Sequence, residues 1–145
     1  PPSPGQLPWI ARLRRDDTVA RWVGPAGPRS TALIVLEWAH ATPRAARPVG
    51  FVHLDFVQDG ARRLGAFDIA VTPDSRGRGV GLAMVRAVER VLTGRGARSV
   101  CLGVHRENAA ARRLYARAGY RETAAIAAPD GSPALLVEKA LDGLF

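Results

Sequence analysis

Residues 64–92 join an apolar, strand-like run to an amphipathic, helix-like run through a turn that contains Gly77, Gly79 and Gly81. Pro73 ends the strand-like run LGAFDIAV, and the apolar residues that follow the turn recur at the spacing of a helix. A glycine-rich turn that leads from a strand into a helix N-terminus brings backbone N–H groups close to an anion. The joint therefore predicts a phosphate-binding turn.

The turn does not fit the two commonest phosphate-binding patterns. A dinucleotide fingerprint needs a third glycine where this chain has Leu82 or Met84, and the ATP-binding form needs a Lys-Ser or Lys-Thr pair after the glycines. The pattern that fits is Arg-x-x-Gly-x-Gly over residues 76–81, to which Arg78 adds a second cation. The expected ligand is therefore a polyphosphate that is bound by neither the dinucleotide pattern nor the ATP-binding pattern.

Composition favours one globular domain. The chain has 145 residues, 47% hydrophobic and 23% charged, and no apolar run long enough to span a membrane. The net charge of +8 makes a nucleic-acid-binding protein the alternative, but the arginines are spread along the chain without a set of stacking aromatics. The single cysteine, Cys101, suits the reducing cytoplasm and is expected to be a small buried residue. Because the chain opens on Pro1, it is expected to have been trimmed or cut from a longer protein.

Hydrophobic periodicity predicts an α+β fold with a mostly antiparallel sheet. The expected order is a helix within residues 9–23, three strands, the helix after the turn, a strand, a helix, and two strands around the PDGS turn. Residues 58–63, QDGARR, are expected to turn the second strand into the third. Asn108 is expected to cap the last helix, and Gly119 to end it.

The segment NAAARRLYARAGY provides a second motif. Together with Arg-x-x-Gly-x-Gly it resembles the GNAT superfamily of acyl-CoA-dependent N-acyltransferases, whose members carry the equivalents of Asn108, Ala111, Tyr115, Gly119 and Tyr120 in this order. The resemblance implies the splayed GNAT sheet, acetyl-CoA as co-substrate, no metal, and an amine acceptor on a small molecule, a protein N-terminus or a lysine. Members that act on aminoglycosides and protein N-termini look nearest. A homodimer is compatible with the resemblance but is not implied by it.

The resemblance also implies where acetyl-CoA is bound. Residues 67–71 and 99–104 would be the strands that splay apart, with the pantetheine arm in the gap. The implied cofactor-binding residues are Ile69, Ala70, Val71, Arg76, Gly77, Arg78, Gly79, Val80, Gly81, Asn108, Ala111 and Arg112. Asn108 has two open interpretations, as a helix cap and as an amide donor to the arm.

Tyr115 is the candidate general acid. An acyl thioester attacked by an amine expels a thiolate, and a phenol beside the sulfur can protonate it. The alternative is a core aromatic on the inner stripe of its helix, and the neighbouring motifs favour the acid. A backbone N–H of the splayed strand, such as that of Val71, would stabilise the oxyanion.

The sequence offers several candidates for the general base. Some GNAT members carry a glutamate where this chain has Gly103. Asp68 is the best-placed remaining carboxylate and is taken as the candidate base; Glu37, His53, Glu107 and a chain of waters are the alternatives.

The acceptor and the N-terminal region are the least constrained features. Asp16 and Asp17 can attract a cationic amine or can be solvated charges, and the family's first strand is either compressed into WIARLRR or absent. We expect residues 1–145 to be a single GNAT domain with N-acetyltransferase activity. The alternative is a non-catalytic acyl-CoA-binding or regulatory domain.

Overall fold

A computed structural model of the chain describes residues 31–37, 47–59 and 62–141. The helix predicted within residues 9–23, with Asp16 and Asp17, lies outside these ranges, as does the expected first strand. The described part forms six strands and two α-helices: β1 (Thr31–Glu37), β2 (Arg47–Asp59), β3 (Arg62–Val71), α1 (Val80–Gly94), β4 (Ser99–His105), α2 (Ala109–Arg117), β5 (Arg121–Ala127) and β6 (Pro133–Ala140).

The six described strands form one sheet in the order β1-β2-β3-β4-β6-β5. β3 and β4 are parallel because α1 carries the chain back across the sheet between them, and the other neighbours are antiparallel. The predicted α+β class and the mostly antiparallel sheet are confirmed. The hairpin is tighter than predicted, since pairing continues to Asp59 opposite Arg62. Ladder hydrogen bonds join backbone groups, so they extend into the polar residues that the sequence had suggested for a turn.

The two central strands splay apart at their C-terminal ends. β3 and β4 are in register at Leu64 with Ser99 and at Gly65 with Val100. Beyond these pairs β4 continues alongside β6 as far as His105, which pairs with Ala134. The end of β3 therefore faces a gap in the sheet, as the family resemblance implied.

α1 covers one face of the sheet with the apolar stripe that the sequence predicts. Met84, Val85, Val88 and Leu92 are buried, and Val91 packs against them at the edge of the core. The core includes apolar side chains from β2, β3, β4 and β6. No helix in the described ranges is long and apolar enough to cross a membrane.

A buried ion pair joins α1 to β6 within this core. Glu89 is 3% exposed, and both its carboxylate oxygens accept hydrogen bonds of 3.0 Å from Lys139 Nζ. Lys139, the only lysine of the chain, also donates to the carbonyl of Ala118 at 2.7 Å and lies 5.6 Å from the centre of the Tyr120 ring. One ammonium group thus ties together α1, β6 and the end of α2.

We expect the Lys139→Met variant to lose about 3 kcal/mol of unfolding free energy, because Glu89 would be left in the core without its partner. This is the lower end of the range for buried pairs, since the Lys139 side chain is 17% exposed. Urea denaturation measures the loss. The double variant Glu89→Leu, Lys139→Met should recover most of it, and a single variant as stable as the wild type would contradict the assignment.

α2 begins and ends at the residues that the sequence indicates. Asn108 Oδ1 accepts a hydrogen bond of 3.1 Å from the N–H of Ala111, which makes Asn108 the N-cap. Gly119 follows the helix at a φ of 93°, a conformation that side chains disfavour. Both predictions are confirmed, and they place the start of α2 at the open end of the gap between β3 and β4.

Candidate active site

The gap between β3 and β4 opens into a cavity of about 750 Å³ that is closed by the N-terminal ends of α1 and α2. Most of the predicted site residues line it: Asp68, Ile69, Ala70, Val71, Arg76, Gly77, Gly79, Val80, Gly81, Asn108, Ala111 and Tyr115. They come from three segments of the chain, residues 68–71, 76–81 and 108–115, and the splay of the sheet brings them together. Arg78 and Arg112 are outside the cavity wall.

The glycine-rich turn leaves open space where a ligand can approach the backbone. Gly77 and Gly79 have φ angles of 75° and 77°, and a Cβ atom on either would meet nothing within 4 Å. Gly79 is also the N-cap of α1, so the first N–H groups of the helix have no intrahelical acceptor. These N–H groups and the helix dipole attract an anion. Less space is available at Gly81, because a Cβ atom added there would lie 3.3 Å from Leu114 Cδ2.

Ser75 is a polar residue of the cavity wall that sequence reasoning missed. It belongs to a short 3-10 turn, Pro73–Ser75, and is 1% exposed. Its Oγ has no hydrogen-bond partner in the described part of the chain. A buried hydroxyl without a partner is unfavourable, which makes Ser75 Oγ an unsatisfied polar atom beside the cavity.

Arginines supply the positive charge of the cavity. Arg76 lines the wall, and its Nε donates a hydrogen bond of 3.1 Å to the carbonyl of Val71. Arg112 points elsewhere: its Nε lies 2.8 Å from Glu122 Oε1, and this contact raises the pKa of Arg112 and lowers that of Glu122. Arg113 and Arg117 line the cavity instead. Neighbouring arginines of α2 face different directions because a one-residue step turns a helical side chain by about 100°, so the sequence motif alone does not show which of them lines the cavity.

Asn108 lines the cavity while it caps α2. Its Oδ1 accepts the N–H of Ala111, and a primary amide keeps two donor hydrogens on Nδ2. The two interpretations of Asn108 are therefore compatible, with the oxygen serving the helix and the nitrogen facing a ligand.

Tyr115 sits at the inner end of the cavity. It is 7% exposed and packs edge-on against Phe67 and Tyr120, with ring centroids 6.2 and 5.5 Å away. Burial raises the pKa of the phenol well above its usual value, and the negative charge of Asp68 raises it further. Tyr115 is thus a protonated phenol that is both a core aromatic and a wall of the cavity.

Asp68 is the carboxylate of the cavity wall, on the same strand as Ile69 and Val71. Its effect on Tyr115 shows that the two groups interact electrostatically. Two of the alternative bases lie elsewhere. His53 is buried opposite Asp68 on β2, and Glu107 is an exposed turn residue, so neither belongs to the described wall of the cavity. Glu37 is part of β1.

The structure adds His105 to the cavity wall at the end of β4. Its Nδ1 lies 3.0 Å from Ser132 Oγ, and Ser132 Oγ lies 2.6 Å from Asp130 Oδ1. The hydroxyl and the N–H of Ser132 hold the pKa of Asp130 below its usual value. Little in the sequence indicates this contact. The PDGS segment is typical of an ordinary turn, and nothing in it predicts that the turn lies beside the end of β4.

Residues 11–120 match the family model of the acetyltransferase (GNAT) family. The match spans more than half of the chain and includes both motifs and the cavity that they form. The chain belongs to the GNAT acetyltransferase family. It is an acyl-CoA-dependent acetyltransferase, as the sequence predicted.

Solved structures with the same fold differ widely in sequence from this acetyltransferase. Spermidine N-acetyltransferase from Vibrio cholerae, solved with CoA and spermine, has a TM-score of 0.78 and 15% identity over 97% of this chain and 92% of its own. Aminoglycoside acetyltransferase AAC(6')-Ib, solved with CoA and kanamycin, has a TM-score of 0.74 and 16% identity over 94% and 90%. The NatC complex with Gag peptide and CoA has a TM-score of 0.65 and 19% identity over 75% and 70%. No curated protein matches this sequence.

Gly103 on β4 is the position of this GNAT acetyltransferase at which the sequence resemblance implied a glutamate in some family members. Gly103 lines the cavity, and a Cβ atom there would meet Ile126 Cδ1 at 3.7 Å, an ordinary contact. Space for a side chain exists, so the missing carboxylate is not a steric necessity. On the described cavity wall, the candidates for donating or accepting a proton in catalysis are therefore Asp68, His105 and Tyr115.

Proposed function

We propose that this acetyltransferase moves the acetyl group of acetyl-CoA to a primary amine by direct attack of the amine nitrogen on the thioester carbonyl. The observation that carries the proposal is that a single cavity is bordered by the glycine-rich turn, by the free end of β3, by Asn108 and by Tyr115. An acyl thioester linked to a pyrophosphate needs an anion site, an extended slot and a proton donor. This cavity offers all three.

The glycine-rich turn takes the pyrophosphate of CoA. Gly77 and Gly79 leave room for it against the backbone, and the N–H groups at the start of α1 donate to its oxygens. Arg76, Arg113 and Arg117 line the same cavity and balance its charge. The buried Oγ of Ser75 gains a partner when a polar group of the co-substrate enters.

The free end of β3 takes the pantetheine arm. Residues 69–71 have extended backbone beside the gap, so an amide-containing chain can add to them as another strand would. The Nδ2 group of Asn108 donates a hydrogen bond to the arm. The N–H of Val71 stabilises the negative charge that develops on the carbonyl oxygen during attack.

Tyr115 and Asp68 carry the proton transfers. As the carbon–sulfur bond breaks, Tyr115 donates its hydroxyl proton to the sulfur. A tyrosinate beside Asp68 in a buried site is unfavourable, as the raised pKa of Tyr115 indicates. The transfer is therefore coupled to the arrival of a proton from the attacking nitrogen, which Asp68 accepts and returns to the phenol oxygen.

The acceptor class is a primary amine that is protonated in solution. Structural neighbours were solved with spermine, kanamycin and a Gag peptide, which makes polyamines, aminoglycosides and peptide amines the first compounds to test. The carboxylate of Asp68 on the cavity wall favours a cationic group over a neutral one.

We further infer that residues 1–145 act as one catalytic domain. β5 and β6 lie beyond the matched residues 11–120, yet β6 pairs with β4 along the whole strand and so belongs to the same sheet. The single thiol, Cys101, suits a reaction in the cytoplasm.

The test is acetyl transfer by the purified chain. Acetyl-CoA is incubated with spermine, kanamycin or a peptide with a free α-amino group, while thiol release and the mass of the amine product are followed. We expect steady thiol release with stoichiometric acetylation of at least one amine. CoA binding by calorimetry without an acetylated product from any of the three would contradict catalysis and support the non-catalytic binding domain.

A further inference from the structure

A hydrogen-bonded chain leads away from the cavity through His105, Ser132 and Asp130. Asp130 has a lowered pKa and is ionised, so its carboxylate can only accept hydrogen bonds. The single hydroxyl hydrogen of Ser132 is therefore donated to Asp130 Oδ1 over 2.6 Å. The contact of 3.0 Å between Ser132 Oγ and His105 Nδ1 must then use a hydrogen on Nδ1. This assigns the neutral ring its tautomer, with the lone pair on Nε2.

His105 lies on the part of the cavity wall that is formed by the end of β4. Side chains alternate along a strand, so His105 lies on the same face of β4 as Gly103, two residues earlier. His105 and Gly103 both line the cavity together with Asp68 and Tyr115. The imidazole is half-buried and therefore reachable from the cavity.

Charged groups surround His105 on several elements of the structure. Arg113 and Arg117 from α2 and Arg76 from the glycine-rich turn line the same cavity, and Arg106 follows His105 in the chain. Opposite charges come from Asp130 on the β5–β6 turn, from Asp68 on β3 and from Glu107 in the turn after β4. Asp130, through Ser132, is the carboxylate linked to the ring by hydrogen bonds.

We propose that His105 is a second proton acceptor of the acetyl transfer, with Ser132 and Asp130 as its positioning residues. The inference rests on the proposed function. A protonated amine must lose two protons to become an amide, one before attack and one after the carbon–nitrogen bond has formed. Because Asp68 returns one of these protons to Tyr115, a second acceptor on the cavity wall gives the other proton a separate route.

Each proton of the acetyl transfer then has a defined donor and acceptor. The ammonium group of the acceptor gives a proton to His105 Nε2, and the freed lone pair forms the carbon–nitrogen bond. The second proton leaves the nitrogen through Asp68 and replaces the one that Tyr115 gives to the departing sulfur. The imidazolium then releases its proton to water. The sum is ammonium plus acyl thioester giving amide, thiol and one proton in solution.

The first experiment needs no turnover. Nitrogen-15 NMR of histidine-labelled protein reports which ring nitrogen is protonated, and the His105→Gln variant assigns the signal. We expect Nδ1 of His105 to carry the hydrogen at alkaline pH in the wild type and in Ser132→Thr, which keeps a bridging hydroxyl. A wild-type ring protonated on Nε2 under these conditions would overturn the proposal.

The second experiment is the pH profile of kcat/KM for the amine that the wild type acetylates fastest among spermine, kanamycin and the peptide. We expect His105→Gln to lower kcat on the order of 10²-fold near neutral pH, with little change in KM for acetyl-CoA. Ser132→Ala and Asp130→Asn should move the acid limb of the profile to lower pH by about 0.5–1 unit, because the imidazolium loses a hydrogen-bonded carboxylate. Ser132→Thr should keep the wild-type limb.

The outcomes separate the two proposals. A His105→Gln enzyme with the wild-type rate and pH profile would overturn the role of His105 while acetyl transfer itself stands. A rate loss in Ser132→Ala without any shift of the acid limb would also overturn it, since a purely structural role predicts that result. A wild-type protein that acetylates none of the three amines would overturn the proposed function, and the role of His105 with it.

Discussion

The Tyr115→Phe variant should turn over on the order of 10²- to 10³-fold more slowly than the wild type, with an almost unchanged KM for acetyl-CoA. The change deletes the hydroxyl and keeps the ring, so the contacts with Phe67 and Tyr120 persist. A group that acts only as the carbon–sulfur bond breaks contributes to kcat and not to binding of the thioester. Steady-state kinetics with a saturating amine measures the effect.

Tyr120→Phe is the matched control for this experiment. Tyr120 belongs to the same aromatic cluster and is also buried, and its pKa is raised first by burial and then by the charge of Glu89. It does not belong to the described cavity wall, so removal of its hydroxyl should leave kcat within about twofold. Equal rates for Tyr115→Phe and the wild type would show that Tyr115 is only a core aromatic.

The Gly79→Asp variant should bind CoA about 10³-fold more weakly than the wild type. A side chain at Gly79 meets no protein atom within 4 Å, so it would enter the space that we assign to the pyrophosphate. A carboxylate about 4 Å from a phosphate costs about 4 kcal/mol near a protein surface, which corresponds to about 10³-fold in affinity. Isothermal calorimetry with CoA measures the loss.

Gly79→Asn separates charge from backbone strain in the same experiment. Asn and Asp both tolerate the φ of 77° at this position better than other side chains do, and they have nearly the same volume. We expect Asn to weaken CoA binding clearly less than Asp, and both variants to melt within a few degrees of the wild type. Micromolar CoA binding by a folded Gly79→Asp variant would exclude the turn as the pyrophosphate site. Gly81 is the poorer choice, because a side chain there also displaces Leu114.

Short-range sequence patterns, namely helix caps, glycines and apolar periodicity, predict much of this fold without its tertiary contacts. Gly79 and Gly119 lie at the two positive-φ positions where α1 begins and α2 ends, and Asn108 caps α2, all as the sequence indicates. The apolar stripe of α1 predicted its buried face, and Glu89 lies on that face, four residues after Val85, although a carboxylate is expected to be exposed. A charge is buried there because Lys139, 50 residues later, donates to it, and no local pattern contains that partner.

The sequence by itself determined the family, the order of the described elements, the glycine-rich turn before α1 and the place of Tyr115 on α2, since each depends on residues that are close together in the chain. Tertiary structure decided which arginines face the cavity, that Ser75 Oγ is buried in its wall, and that Asp68 acts on Tyr115. It also joined His105 to Ser132 across 27 residues. The reason is that side-chain direction and electrostatic coupling depend on how strands splay and pair, and a splay between two strands has no counterpart in local sequence spacing.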